Sequence, residues 1–291
     1  MAFLKPAPDR ALIERSPAGL RRWRQIWRRS GERVGFVPTM GALHRGHLAL
    51  VEALTPVADR VVVSIFVNPT QFAPGEDFAR YPRSEAEDIA KLDALGVDVV
   101  YLPTATDMYP KAFATEISVA GPLTERLEAV IRPGHFTGVA TVVAKLLLQL
   151  TPEAVAFGEK DYQQLQIVRR MVADLDMPTE IVAVPTVRDD EGLALSSRNA
   201  YLSPAERQVA RQLNKILART ADRLRAGMEA ASACAEAAEE LVRIGFAGVD
   251  YVALADPDDL TALARLDRPA RLLAAARIGR TRLIDNIAVA P

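Results

Sequence analysis

Residues Val34 to His47 read VGFVPTMGALHRGH, and the reading of this stretch decides the fold. Val34–Val37 is a continuous apolar run rather than an alternating one, the pattern of a strand buried on both faces. It stops at Pro38-Thr39, and a glycine-bounded segment with two histidines leads into a helical pattern. The same grammar recurs downstream. Val61–Val67, Val97–Leu102, Ala154–Phe157 and Glu180–Val184 are predicted strands, separated by helical stretches at about residues 46–57, 84–95, 137–150 and 161–175. Strands alternating with helices predict βαβ units in an α/β, Rossmann-like, doubly wound parallel sheet.

The last third has a different grammar. Pro204 opens a helical pattern that runs to about Arg225, and a second runs from Met228 to Ile244, closed by Gly245. Val249–Ala255, Ala270–Ile278 and Thr281–Ile284 are predicted strands, the last two joined by Gly279-Arg280. The expectation is a Rossmann-like domain over 1–186 and a smaller C-terminal α+β domain over 187–291.

Composition agrees with two domains. The chain has 291 residues, 36 basic and 37 acidic, for a formal net charge of −1. That balance argues against a protein whose main partner is nucleic acid. Cys234 is the single cysteine, so neither an internal disulfide nor a zinc cluster is available, as suits a reducing, cytoplasmic compartment. The opening MAFLKPAPDR is expected to carry no export signal, and no apolar run approaches the roughly 20 residues of a membrane span. Arg21, Arg22, Arg24, Arg28 and Arg29 surround an apolar face of Leu20, Trp23, Ile26 and Trp27, which predicts an amphipathic surface helix rather than a binding patch.

Chemistry concentrates at strand ends, where open parallel sheets bind ligands. His44 and His47, between Gly41 and Gly46, can both face a helix start and donate to phosphate oxygens. A zinc pair would sit at i, i+4 with a third ligand, and His135 is the only other histidine, so no metal site is expected there. Gln71, in the turn Phe66–Phe72, could read a small polar substrate, or Asn68 could simply hold a plain turn. Gly158, Glu159, Lys160 and Asp161 follow the fourth predicted strand, with Gln164 a helical turn further on. Ser196, Ser197 and Arg198 offer hydroxyls and a guanidinium to a polyphosphate, or turn caps. Arg132 could meet phosphate or pair with an acid, and Asp88 could hold a metal ion.

Together, PTMGALHRGHLALV (38–51), FVNPTQF (66–72), EDFARYPR (76–83), RPGHFTGVATVV (132–143), GEKDYQQL (158–165) and LSSRNAYLS (195–203) resemble the pantothenate synthetase family, the AMP-forming pantoate–β-alanine ligases. The His-x-Gly-His element by itself is shared with other HIGH-type nucleotidyltransferases and class I aminoacyl-tRNA synthetases. The resemblance implies condensation of pantoate with β-alanine through a pantoyl adenylate, with ATP as substrate, Mg2+ accompanying it, and a homodimer. It implies an ATP site of Met40, Gly41, Ala42, Leu43, His44, Arg45, Gly46, His47, Gly158, Glu159, Lys160, Asp161, Val187, Leu195, Ser196, Ser197 and Arg198. His44 and His47 are the implied catalytic pair, with His47 as proton donor, and Gln71 and Gln164 hold pantoate. Leu195 stands where the family commonly has methionine, and Arg45 where it often has an acid. Another nucleotidyltransferase or adenylate-forming ligase is the nearest alternative, and a non-catalytic RNA-binding protein a remote one.

Overall fold

The computed structural model describes residues 10–73 and 75–291, so the reading of Met1–Asp9 lies outside the described residues. They divide into two compact units. The first takes the described residues up to Val119 together with Arg132–Glu159 and Ile167–Val184; the second takes Ala120–Ile131, Lys160–Gln166 and Pro185–Pro291.

The first unit is built on β1 (Leu12–Glu14), β2 (Val34–Thr39), β3 (Arg60–Ile65), β4 (Val99–Tyr101), β5 (Ala154–Gly158) and β6 (Glu180–Val184). Their order is β1-β4-β3-β2-β5-β6, and every pairing is parallel. Consecutive residues in a strand point to opposite faces, and Phe36 and Val37, Val62 and Val63, and Val155 and Ala156 are all buried. Both faces are therefore covered, as the continuous apolar runs demand. From β2 the chain winds outward to β3 and β4, then returns to place β5 on the other side of β2. The winding reverses between β2 and β5, and their carboxyl ends form the crevice where doubly wound sheets bind ligands.

The sequence did not signal β1. It is a three-residue edge strand whose pairing with β4 is a long-range event without a local pattern. The helices of this unit are α1 (Pro17–Arg29), α2 (Arg45–Leu54), α3 (Glu85–Ala94), α4 (Ala105–Met108), α6 (His135–Leu150) and α7 (Tyr162–Asp174), whose first residues belong to the second unit; α5 (Glu128–Ile131) lies wholly in the second. In α1, Leu20 and Trp27 are buried while Arg21, Arg22, Arg28 and Arg29 are exposed.

The second unit packs α8 (Pro204–Ala210), α9 (Gln212–Arg225) and α10 (Ala230–Arg243) with an antiparallel sheet of β7 (Gly248–Ala255), β8 (Ala270–Ile278) and β9 (Thr281–Val289). Two expectations change here. The single helix over 204–225 is two helices broken at Arg211, whose guanidinium is drawn to Asp189 at 3.1 Å and to Glu191. The last strand runs to Val289 rather than Ile284, its polar Asp285 and Asn286 being satisfied by partners inside the unit.

Candidate active site

The loop leaving β2 is held from beneath by a buried carboxylate. Gly41 and Ala42 lie at φ +84° and +50°, a tight turn that glycine permits at the first position. A Cβ on Gly41 would press to 3.0 Å from Ile65 and 3.2 Å from Asp88. Asp88, on α3, is completely buried and accepts from the Ala42 N–H at 2.8 Å and the Leu43 N–H at 2.7 Å. Lys91 closes the same turn by donating to the Leu43 carbonyl at 2.8 Å. Asp88 was expected as a possible metal ligand; each of its oxygens instead takes a backbone N–H, so it serves as the anchor of the loop. That role was illegible in sequence because 45 residues or more separate the partners.

The two histidines cap α2 reciprocally. His44 Nδ1 accepts from the Gly46 N–H at 3.1 Å, and His47 Nδ1 accepts from the His44 N–H at 3.3 Å. A backbone N–H can only donate, so both rings carry their proton on Nε2. Their centroids are 4.1 Å apart. The His44 and Gly46 amides are thus consumed by the imidazoles. Arg45 is exposed.

The turn after β3 is locked by α6. Asn68 is buried and donates to the Gln71 Oε1 at 3.1 Å and to the Gly138 carbonyl at 3.2 Å. With its oxygen so engaged, the Gln71 amide turns its Nε2 toward Met40 Sδ at 3.0 Å. Gly138 is required by close approach, since a Cβ there would lie 2.4 Å from the Thr70 carbonyl oxygen. Arg132 resolves to the acid-pairing alternative: it forks onto Glu76 at 2.8 and 2.7 Å. It also donates to His135 Nε2 at 2.9 Å, so the His135 Nδ1–H donates to the Gln71 carbonyl at 2.8 Å. Burial works to raise the Glu76 pKa, but its hydrogen bond and charge interaction with Arg132 outweigh that and hold the carboxyl below its ordinary value.

Gly158 ends β5 and Glu159 follows it, both in the first unit; Lys160, Asp161 and Gln164 belong to the second, as do Val187 and Leu195–Arg198. Within the second unit Lys160 Nζ lies 3.7 Å from Asp161, and Asp161 is exposed. Val187 and Leu195 are half-buried and joined across a short hairpin by the Leu195 N–H to the Val187 carbonyl at 2.9 Å. Arg188, beside Val187, forks onto buried Asp285 at 2.7 and 2.8 Å. Ser196 Oγ caps the following turn by accepting from the Arg198 N–H at 3.3 Å, which leaves its own O–H to donate. Gln163, quoted with that motif, is a structural residue: its amide bridges Leu123, Arg126 and Glu128.

A doubly wound sheet whose switch-point strand ends in a capped His-x-Gly-His helix start defines the class of Rossmann-like enzymes that activate substrates with a nucleotide. Comparison with known proteins narrows the class. The profile of the family described as Pantoate-beta-alanine ligase matches residues 12–288. The pantothenate synthetase of Paramagnetospirillum magneticum is 54% identical over 279 residues, covering 96% of this chain and 98% of the relative. The crystal structure of pantothenate synthetase from Thermus thermophilus superposes with a TM-score of 0.89 at 49% identity, covering 96% of this chain and 100% of that one. The pantoate-β-alanine ligase of Francisella tularensis, solved with β,γ-ATP and β-alanine, gives a TM-score of 0.81 at 35% identity, covering 95% and 97%. The chain belongs to the pantoate–β-alanine ligase family, enzymes that condense pantoate with β-alanine to pantothenate using ATP.

Proposed function

We propose that this chain performs that condensation in two steps, with the strand-end loops as its catalytic site. A pantoate carboxylate oxygen attacks the α-phosphorus of ATP, pyrophosphate leaves, and pantoyl adenylate forms. The uncharged amine of β-alanine then attacks the acyl carbon, the C–O bond to phosphate breaks, and AMP departs as the amine loses a proton. Adenylation is needed because a free carboxylate is a poor acyl donor. The observation that carries the reading is the pair of imidazoles at the start of α2, each fixed at Nδ1 by a backbone N–H and so protonated on Nε2. Charge develops on phosphate oxygens in the first step, and donors fixed in advance stabilise it without reorganising.

In this reading Met40–His47 and Gly158–Asp161 bind ATP together with Val187 and Leu195–Arg198, and His44 and His47 are the catalytic pair. Lys160 and Arg198 meet its phosphates, and His47 is the proton donor. Gln71 and Gln164 hold pantoate; the hydrogen bond from Asn68 that orients the Gln71 amide supports its share of that role. Residues 1–186 would then be the ATP- and pantoate-binding domain and 187–291 its smaller companion. Mg2+ would be carried on the nucleotide phosphates, as it usually is with phosphate substrates. When bound, the ion would neutralise charge on the phosphates. The proposal extends to a homodimer in the cytoplasm. Among the described residues no helix is long and apolar enough to cross a membrane.

The test is to supply ATP, Mg2+ and pantoate and follow pyrophosphate, then add β-alanine and follow AMP. Pyrophosphate that depends on pantoate, and AMP release that depends on β-alanine, are expected; no pyrophosphate with pantoate overturns the proposal. His47→Ala should slow single-turnover adenylation by roughly 10²–10³-fold, the range for loss of one such donor. Adenylation near the wild-type rate would show that His47 does not act on the reacting phosphate.

A further inference from the structure

The side of the C-terminal sheet that carries Arg271, Arg282 and Asn286 is lined by polar groups the reaction does not call upon, and they grip two earlier segments through pairs more than a hundred residues apart in the chain. Arg282 on β9 forks onto Glu128 at 2.6 Å on both arms, and Tyr251 on β7 donates to the same carboxylate at 2.7 Å. Further along β9, Asn286 donates from Nδ2 to the backbone carbonyl of Lys160 at 3.0 Å. Its Oδ1 accepts from Arg271 Nε on β8 at 2.5 Å. Arg271 pairs in register with Ala288, two residues from Asn286, so the two side chains are diagonal neighbours on one face of the sheet. The Arg271 guanidinium also lies over the Tyr162 ring, 4.1 Å from its centroid. Asn286 is only 3% exposed and Arg271 7%, so these are committed, desolvated contacts.

We infer that Asn286, backed by Arg271, is a positioning residue for Lys160, which rests on the proposal that Lys160 meets the ATP phosphates. One contact pins the backbone at residue 160 and the other pins the ring at 162, on either side of Asp161. The lysine side chain thus starts from a fixed point. A long, flexible ammonium stem gains accuracy only if its root is held, and a misplacement of about 1 Å can cost roughly a hundredfold in rate. Asn286 touches neither substrate nor reacting atoms in this role; it acts through Lys160.

The experiment is a double-mutant cycle on the full chain. Asn286→Asp keeps an acceptor for Arg271 but loses the donor and sets a negative oxygen against the Lys160 carbonyl. It should raise the KM for ATP and slow pantoate-dependent pyrophosphate release by about tenfold, within the coupling range of residues in one network. Pantoate affinity measured by calorimetry without ATP should change less than about twofold. In a Lys160→Ala background, the effect of Asn286→Asp should shrink to below about twofold. Arg271→Met should act in the same direction more weakly, and it is the variant to use if Asn286→Asp fails to fold by circular dichroism. An equal effect of the second-site change with and without Lys160 overturns the inference, since that is what a merely structural role produces. Impaired Lys160→Ala with normal Asn286→Asp also overturns it while sparing the reading of Lys160. Normal pyrophosphate release by Lys160→Ala overturns both.

Discussion

At the scale of single residues, the three histidines divide by tautomer. His44 and His47 accept backbone N–H groups at Nδ1 and are protonated on Nε2, whereas His135 donates from Nδ1 to Gln71 and accepts from Arg132. The Glu76–Arg132–His135 chain ends on the backbone of Gln71, so its charge state bears on that turn. Because the folded-state pKa of Glu76 lies below its ordinary value, its contribution to stability is fully present above the unfolded carboxylate value, near 4.3. It is lost as pH falls through the folded value. Urea unfolding of wild type and Glu76→Gln should therefore show a stability difference at pH 7 that closes toward zero under strongly acid conditions. A difference independent of pH would deny Glu76 that role. Sequence exposed Arg132 but not its partner, since an arginine's choice between a phosphate and a carboxylate 56 residues away is a tertiary matter.

Among elements, the decisive contact is that of α6 with the turn after β3. Gly138 lies inside a helix, where glycine is unfavourable by about 1 kcal/mol relative to alanine. It is required because the Thr70 carbonyl occupies the space of a side chain. Gly138→Ala should invert the usual preference and destabilise the protein by about 1–3 kcal/mol, the cost of overpacking. It should also raise the KM for pantoate, because Asn68 and Gln71 must shift. A variant with higher Tm and unaltered KM would show that the turn yields freely. The caps followed from sequence more readily than the contacts. Pro204 opening α8 and Gly245 after α10 are local signals, and the structure adds a Ser203–Glu206 capping box at the first. The break at Arg211 was not legible, because apolar spacing continues across it while the arginine answers to Asp189.

For the whole molecule, the reversal of winding between β2 and β5 puts the histidine loop and Gly158 at neighbouring strand ends. The second unit takes in Ala120–Ile131 and Lys160–Gln166 besides the C-terminal chain. This is explained by Glu128 pairing with Arg282, and by the contacts of Lys160 and Tyr162 with Asn286 and Arg271. A nucleotide that binds only the folded chain must stabilise it. ATP with Mg2+ at about a hundred times its Kd should add about 2.7 kcal/mol, read as a concentration-dependent rise in Tm. No rise at saturating nucleotide would contradict ATP binding to the free enzyme.

By itself the sequence determined the alternation of buried strands and helices, the chemistry-bearing segments at strand ends, and the family to which they point. Those features are written in period, in turn residues and in short-range spacing, so they are legible locally. Only the tertiary structure decided what holds the segments in place. The Asp88 anchor, the Arg132–Glu76 pair, and the assignment of residues 120–131 and 160–166 to the C-terminal unit all join groups whose meeting the linear pattern does not encode. The physical reason is desolvation. A buried polar group must find a partner wherever the fold brings one, and that partner is chosen by packing rather than by proximity along the chain.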